Sequence, residues 1–263
     1  MSFFRIIIPN YNNAEWLDKS IGSVSSQTFT DYHLIFVDDC SVDDSFHGAI
    51  INSAPSIADH YKFLSNTEKK WNGGSRNVGL EYYDDDKYTL FLDSDDWFYD
   101  ENILQELHDF IVENDYPDCI RLPYMAAYDG YKTLEVMLDD ATPERLVHSI
   151  FVACWTKCVK SELVQPFPEN TLMEDVAQHI KQCDVIKTIE PFYRPVVVYN
   201  RNNTNSCSIE ANQDCQHGKW QSSMYRYMAD LLDLELEHDY AIAERDKRAK
   251  ACLENIKNDK YIQ

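Results

Sequence analysis

Three apolar runs of strand length end in polar residues, and this pattern restricts the chain to few folds. Residues 5–8 run into Pro9-Asn10-Tyr11, residues 33–37 into Asp38-Asp39, and residues 88–92 into Asp93-Ser94-Asp95-Asp96. Between them the spacing is helical. Trp16, Leu17, Ser20, Ile21 and Val24 follow Asn12-Asn13, which can cap a helix. Residues 43–51 suit a second helix, and Gly73-Gly74-Ser75-Arg76-Asn77 opens a third that runs towards Tyr83. Residues 61–64 and 119–122 are further strands, with Ile103, Leu107, Phe110 and Ile111 marking a helix before the last of them. Such alternation with short links predicts an α/β domain with a mostly parallel sheet. In that sheet the strand ends share one edge, so the three polar segments converge on one cleft. Three carboxylates in four positions there suit a divalent cation, which favours hard oxygen ligands. The plainer alternative, a solvated acidic turn, does not account for polar strand ends recurring in three segments.

The second half is less regular. Residues 152–155 read as a strand, 174–182 as a helix, and 196–199 as a strand leading into the polar residues 200–206. From about residue 212 the chain reads as helical. Trp220, Met224, Tyr227, Leu231 and Leu234 form a seam of about two heptads, short of a coiled coil. The expectation is therefore packing back on the domain, with a homodimer through these C-terminal helices as the alternative.

Composition narrows the function. With 44% hydrophobic and 13% aromatic residues in 263, the chain can bury a core. A net charge of −21 repels phosphate backbones and disfavours nucleic acid. Lys69-Lys70 and the terminal residues 240–263, with six Lys/Arg against four Asp/Glu, leave a local basic patch open. The 8 cysteines contain no Cys-x-x-Cys pair, and Cys154 with Cys158 lacks the second ligand pair a zinc site needs. Free buried thiols, no signal-like start and no apolar run near the ~18 residues of a membrane span point to a cytoplasmic protein. No histidine pair offers a metal ligand, and His179 is expected on a helix face.

In order along the chain, several segments resemble the family 2 inverting glycosyltransferases of GT-A fold. They are Ile8-Pro9-Asn10-Tyr11-Asn12, Ser23 to Phe29, Val37-Asp38-Asp39-Cys40-Ser41, Gly73-Gly74-Ser75-Arg76-Asn77 and Phe91-Leu92-Asp93-Ser94-Asp95-Asp96. Trp155-Thr156-Lys157, Phe167-Pro168-Glu169, Glu174-Asp175, and Tyr199-x-Arg201 with Ser206-x-Ser208 continue the likeness to about residue 209. Cys40 departs from it, since the family often has Gly there. The resemblance implies a GT-A domain over 1–210, with a nucleotide-sugar half over about 1–98 and an acceptor half over about 99–210. A helical segment, 211–263, follows.

It also implies roles. Pro9 and Tyr11 would wall the nucleobase, Asp39 would accept a hydrogen bond from it, and Asp38 would support the ribose. Arg76 would lie near the donor sugar or its phosphates. Asp95 would bind Mn²⁺ or Mg²⁺ directly, with Asp93 on the ribose or a metal-bound water. Asp175 would be the general base. Trp155, Lys157 and Glu174 would lie on the acceptor side, and Arg201 would cover the diphosphate. Each residue has a plainer reading as well: Asp38 as a helix cap, Glu174 and Asp175 as helix-start carboxylates, Arg76 as a surface residue, Trp155 and Lys157 as core and surface, Arg201 as an acid's partner.

The function so implied is metal-dependent transfer of a sugar, from a UDP-sugar, to a hydroxyl of a saccharide. Transfer to a hydroxylated base of DNA is one alternative, and a non-catalytic binding module for nucleotide-sugars or glycans another. A phosphohydrolase with an Asp-x-Asp nucleophile would want Thr or Val where Trp97 stands. A nucleotidyltransferase would want a Gly-rich basic loop in place of Pro9-Asn10-Tyr11-Asn12.

Overall fold

Asn10 and Asp38 stand opposite each other at the carboxyl ends of two parallel strands, β1 (Phe4–Asn10) and β2 (Tyr32–Asp38). This computed structural model describes residues 1–52, 60–83, 85–128, 131–135, 142–149, 152–169, 171, 173–204 and 219–258. Between β1 and β2 lies α1 (Leu17–Ser25), and α2 (Ser45–Asn52) leads on to β3 (Tyr61–Ser65). Next come α3 (Trp71–Leu80), β4 (Tyr88–Phe91), the short β5 (Trp97–Phe98) and α4 (Ile103–Glu113). The chain continues through β6 (Cys119–Arg121), β7 (Tyr124–Tyr128), β8 (Tyr131–Glu135), α5 (Pro143–Leu146) and β9 (Lys157–Lys160). It then forms α6 (Glu174–Val185), β10 (Ile189–Pro191), β11 (Val197–Asn200), α7 (Lys219–Leu232) and α8 (Asp239–Asn258).

Seven strands form the main sheet in the order β10-β6-β9-β4-β1-β2-β3. All its pairings are parallel except those of β9, which runs antiparallel between β4 and β6. The sequence predicts such a mostly parallel α/β sheet. Both faces are covered, so β1 and β2 are buried at every residue and read as nearly unbroken apolar runs. Arg5 is the exception in β1. It is 2% exposed because its guanidinium donates to Thr89 Oγ1 and to the carbonyls of Leu80 and Tyr82. The strand order reverses at β1, whose neighbours are β2 and β4. Their carboxyl ends open into the switch-point crevice where such sheets take ligands.

A second sheet, ordered β5-β11-β7-β8, extends from this edge. It was not predicted beyond β11, because β5 has only two residues and β7 and β8 carry no clean alternation. The strand expected at 152–155 is displaced. Cys154–Thr156 forms a 3₁₀ turn, and the strand begins at Lys157. Two lysines hid it: Lys160 pairs with Asp118 at 2.9 Å, and the Lys157 ammonium bonds to carbonyls.

The apolar side chains form two clusters. One lies beneath β1, β2 and β4, with Leu17, Ile21 and Val24 of α1 and Leu104, Leu107 and Ile111 of α4. The other joins Val176, Ala177 and Ile180 of α6 to Leu146, Tyr227, Leu231, Ala241 and Cys252. Tyr227 and Leu231 of the predicted seam are thus buried against the domain, at 4% and 0% exposure. Ser206 and Ser208, and the start of the helix expected from residue 212, lie outside the described residues. Among the described residues no helix is long and apolar enough to cross a membrane.

Candidate active site

The three polar strand ends meet as their order implied. Asn10 Nδ2 donates to Asp38 Oδ1 at 2.9 Å, and Asp38 Oδ2 accepts from Ser41 N at 3.0 Å. Asp38 therefore shapes the turn after β2 and does not cap α2. Asp39, 3% exposed, accepts from Asn66 Nδ2 and from the backbone N–H groups of Lys70 and Trp71, at 2.7–2.8 Å. These bonds hold Trp71 at φ 61°, a strained value for a bulky residue, so the Asp39 carboxylate stabilises the entry to α3. Cys40 has φ 63°, which explains physically why Gly is common at this position in the family it resembles. Pro9 is buried in β1. The half-buried Tyr11 ring lies under the Lys69 ammonium, 2.6 Å from its centroid. Lys69 is thus engaged at the cleft.

Arg76 is the hub. Gly73 and Gly74 lie in the first turn of α3, and Arg76, whose plainer reading was a surface residue, is 1% exposed. Its Nη2 donates to Asp93 Oδ1 at 2.8 Å, and its Nη1 to Glu174 Oε1 at 2.7 Å, with Asp175 Oδ1 at 3.5 Å. The three carboxylates hold the guanidinium well above its ordinary range, against the cost of burial. Gly73 permits the approach. A Cβ there would lie 2.3 Å from Pro168 O and 3.1 Å from Glu174 Cβ.

The turn after β4 is crowded with negative charge. Asp95 is pushed up to about 6 by burial and by the Asp93 charge, although Asn203 Nδ2 donates to its Oδ2 at 2.6 Å. Asp96 is fully buried and lies well above the carboxylate range through burial and its acidic neighbours. Its Oδ1 accepts from Asn200 N at 2.8 Å, while its Oδ2 is buried without a partner. A cation would relieve this excess of like charge, and the donor set is all hard oxygen, so the residues present fit Mn²⁺ or Mg²⁺. Among the described residues no three His, Cys, Asp or Glu side chains form a cage. The protein would thus supply one or two carboxylates, leaving the remaining positions to phosphate oxygens and water, as is usual for nucleotide-bound Mg²⁺.

Asp175 lies in the first turn of α6, where the helix dipole favours an anion. Burial and the Glu174 charge outweigh Arg76 and push it up to about 7, while 30% of its side chain stays exposed. A carboxylate poised there can take a proton near neutral pH.

Trp155 and Lys157, expected on the acceptor side, are each 2% exposed. Trp155 packs edge-on against Tyr124. The Lys157 ammonium donates to the carbonyls of Val152 and Ala153 and to His179 Nδ1. His179, expected on a helix face, is fully buried and donates from Nε2 to Leu146 O at 2.9 Å. Arg201 is exposed and lies against the Tyr199 and Tyr128 rings, donating to Tyr199 Oη at 3.1 Å. Sequence reasoning missed Asn66 and Asn203, whose amides donate to Asp39 and Asp95, and Asn13, which links Asn203 to Ser94. Asn203 did carry a signal, a polar run at a strand's carboxyl end.

The chain resembles known proteins in sequence and in fold. The sequence profile of the family described as "Glycosyl transferase family 2" matches residues 5–150. Poly(ribitol-phosphate) beta-N-acetylglucosaminyltransferase TarP of Staphylococcus aureus is 38% identical over 121 residues, 43% of this chain. The chain spans 34% of that protein's length, and as little as 17% of another curated relative. In three dimensions, S. aureus TarS 1–349 in complex with UDP-GlcNAc superimposes with a TM-score of 0.71 at 21% identity, over 96% of this chain and 72% of that one. Mannosyltransferase PcManGT from Pyrobaculum calidifontis, in complex with GDP-Man and Mn²⁺, gives 0.64 at 13% identity, over 97% and 72%.

Proposed function

The chain belongs to glycosyl transferase family 2, and from that premise we propose that it moves a sugar from a UDP-sugar to a hydroxyl of a saccharide acceptor, in the cytoplasm, with Mn²⁺ or Mg²⁺ and with inversion at the anomeric carbon. One observation carries this reading. A single buried guanidinium, Arg76, joins the strand-end carboxylate Asp93 to Glu174 and Asp175 at the start of α6. A donor-binding edge and a candidate base thereby share one fixed frame.

Asp95, with Asp93 beside it, would hold the cation. A bound divalent ion acts as a Lewis acid that stabilises the charge on a departing diphosphate. Pro9, Tyr11, Asp38 and Asp39 border the place for the nucleoside, and Arg201 would cover the diphosphate. Asp175 accepts the proton of the acceptor hydroxyl as its oxygen attacks the anomeric carbon opposite the leaving group. Glu174, tied to Arg76, keeps the guanidinium from neutralising Asp175 alone. The complexes of TarS with UDP-GlcNAc and of PcManGT with GDP-Man and Mn²⁺ support a nucleotide-sugar donor, and the latter supports Mn²⁺. The name of TarP supports a polymeric, sugar-like acceptor. Six cysteines among the described residues are free thiols, which suits a reducing compartment.

A thermal-shift panel of UDP-, GDP-, CDP- and dTDP-sugars, with and without Mn²⁺, tests the donor. The expected result is a rise in Tm with UDP-sugars that requires Mn²⁺. Equal shifts with all four nucleotides, or none with any, would contradict it.

A further inference from the structure

Asn203 reaches the candidate metal ligand from a remote part of the chain. It lies three residues beyond β11 and is 2% exposed. Its Nδ2 donates to Asp95 Oδ2 at 2.6 Å and to Asn13 Oδ1 at 3.1 Å. Asn13 Nδ2 in turn donates to Ser94 Oγ at 2.9 Å. Asn200 N, at the end of β11, donates to Asp96 Oδ1 at 2.8 Å. The end of β11 and the segment after it are thus fastened to three consecutive residues of the β4 turn, once through Asn13 and twice directly.

A buried amide must find partners or lose stability. The choice of partner here has a chemical consequence. The Asn203 bond commits one Asp95 oxygen and leaves the other for a cation, and it restrains rotation of the carboxylate. A ligand already held in one orientation loses less freedom when the ion arrives. Groups that hydrogen-bond to metal ligands typically account for about 10- to 100-fold in metal affinity.

We propose that Asn203 is a positioning residue for the metal, holding Asp95 in the orientation in which it receives Mn²⁺ or Mg²⁺. The inference rests on the metal reading of Asp95 given above. It assigns no contact between Asn203 and the ion itself. It also differs from a purely structural role, in which Asn203 would serve only to pin the segment after β11 to Asn13.

The test is Mn²⁺ affinity in saturating UDP, read from the electron paramagnetic resonance signal of free Mn²⁺, on the full chain. Asn203→Ala should weaken Mn²⁺ binding about 10- to 100-fold. In transfer assays the Mn²⁺ concentration for half-maximal rate should rise in parallel, with kcat at saturating Mn²⁺ changing far less. Asn203→Ser, which keeps a donor, should fall between wild type and Asn203→Ala. Asn13→Ala, which removes the other partner, should weaken Mn²⁺ binding less than Asn203→Ala does. Unchanged affinity in Asn203→Ala, or an equal loss in Asn13→Ala, would overturn the assignment. If Asn203→Ala does not fold, Asn203→Ser decides: weaker binding than wild type supports the role, and equal binding refutes it. Failure of wild type to bind Mn²⁺ with UDP would remove the metal reading and this inference with it, whereas normal binding in wild type and Asn203→Ala alike would remove only the inference.

Discussion

Arg76 Nη2 donates to Asp93 Oδ1 across 2.8 Å, from a side chain that is almost wholly buried. This pair fastens α3 to the turn after β4, while the opposite nitrogen of the same guanidinium holds Glu174 on α6. The bidentate reach belongs to arginine. A lysine ammonium is a point charge that cannot span both carboxylates in one geometry.

Arg76→Met should therefore destabilise the protein and abolish transfer together. Removing one partner from a buried ion network leaves charge uncompensated. The expected loss is about 3 kcal/mol, the low end for such changes because Asp93 and Asp175 keep 30% of their side chains in solvent. Denaturant unfolding measures it. Arg76→Lys should recover part of the stability and little of the activity.

Asp95→Asn should remove metal dependence of donor binding. A UDP-sugar would then give the same small Tm shift with Mn²⁺ as without it. A full Mn²⁺-dependent shift in this variant would take Asp95 out of the metal site.

The pH profile should have an acid limb near neutrality. Burial and Glu174 push Asp175 up to about 7, and only its ionised form can accept a proton. Below that value kcat/KM should fall about tenfold per pH unit, and above it the rate should level off. Mn²⁺ affinity should weaken separately below about pH 6, where a proton competes for Asp95. Initial rates at saturating Mn²⁺ separate the two effects.

Gly73→Ala should act through packing. Its Cβ would stand 2.3 Å from the backbone oxygen of Pro168, which cannot swing aside as a side-chain tip can. The expected loss is about 1–3 kcal/mol, or roughly 2–4 °C in Tm per kcal/mol for a chain of this size. Because Glu174 Cβ is also within 3.1 Å, activity should fall as well.

The sheet and its ligand-binding edge were legible because parallel strands buried on both faces leave long apolar runs, and because polar residues at their ends stand out. The strand-end carboxylates Asp38, Asp39, Asp93 and Asp95 stood out for the same reason, whereas Glu174 and Asp175, at a helix start, were singled out only by the resemblance. Partners were harder to read. Nothing local to Arg76 says that it faces Asp93 and Glu174, residues 17 and 98 positions away. The expectation that Arg76 lies against the donor gave no hint of that burial. Lys157 misled in another way. A charged residue opening a strand argues against a central position, until carbonyls and His179 are folded around its ammonium. The polar run after β11 marked a strand end, but nothing within that run singled out Asn203 as the residue that orients Asp95.

The most direct measurement is sugar transfer by Asp175→Asn, paired with donor binding by the same protein. Asn keeps the shape of the side chain and cannot take the proton. The account predicts that Mn²⁺-dependent stabilisation by a UDP-sugar persists while the transfer rate falls by about 10²- to 10⁴-fold. Transfer at the wild-type rate would contradict it and remove Asp175 from the chemistry.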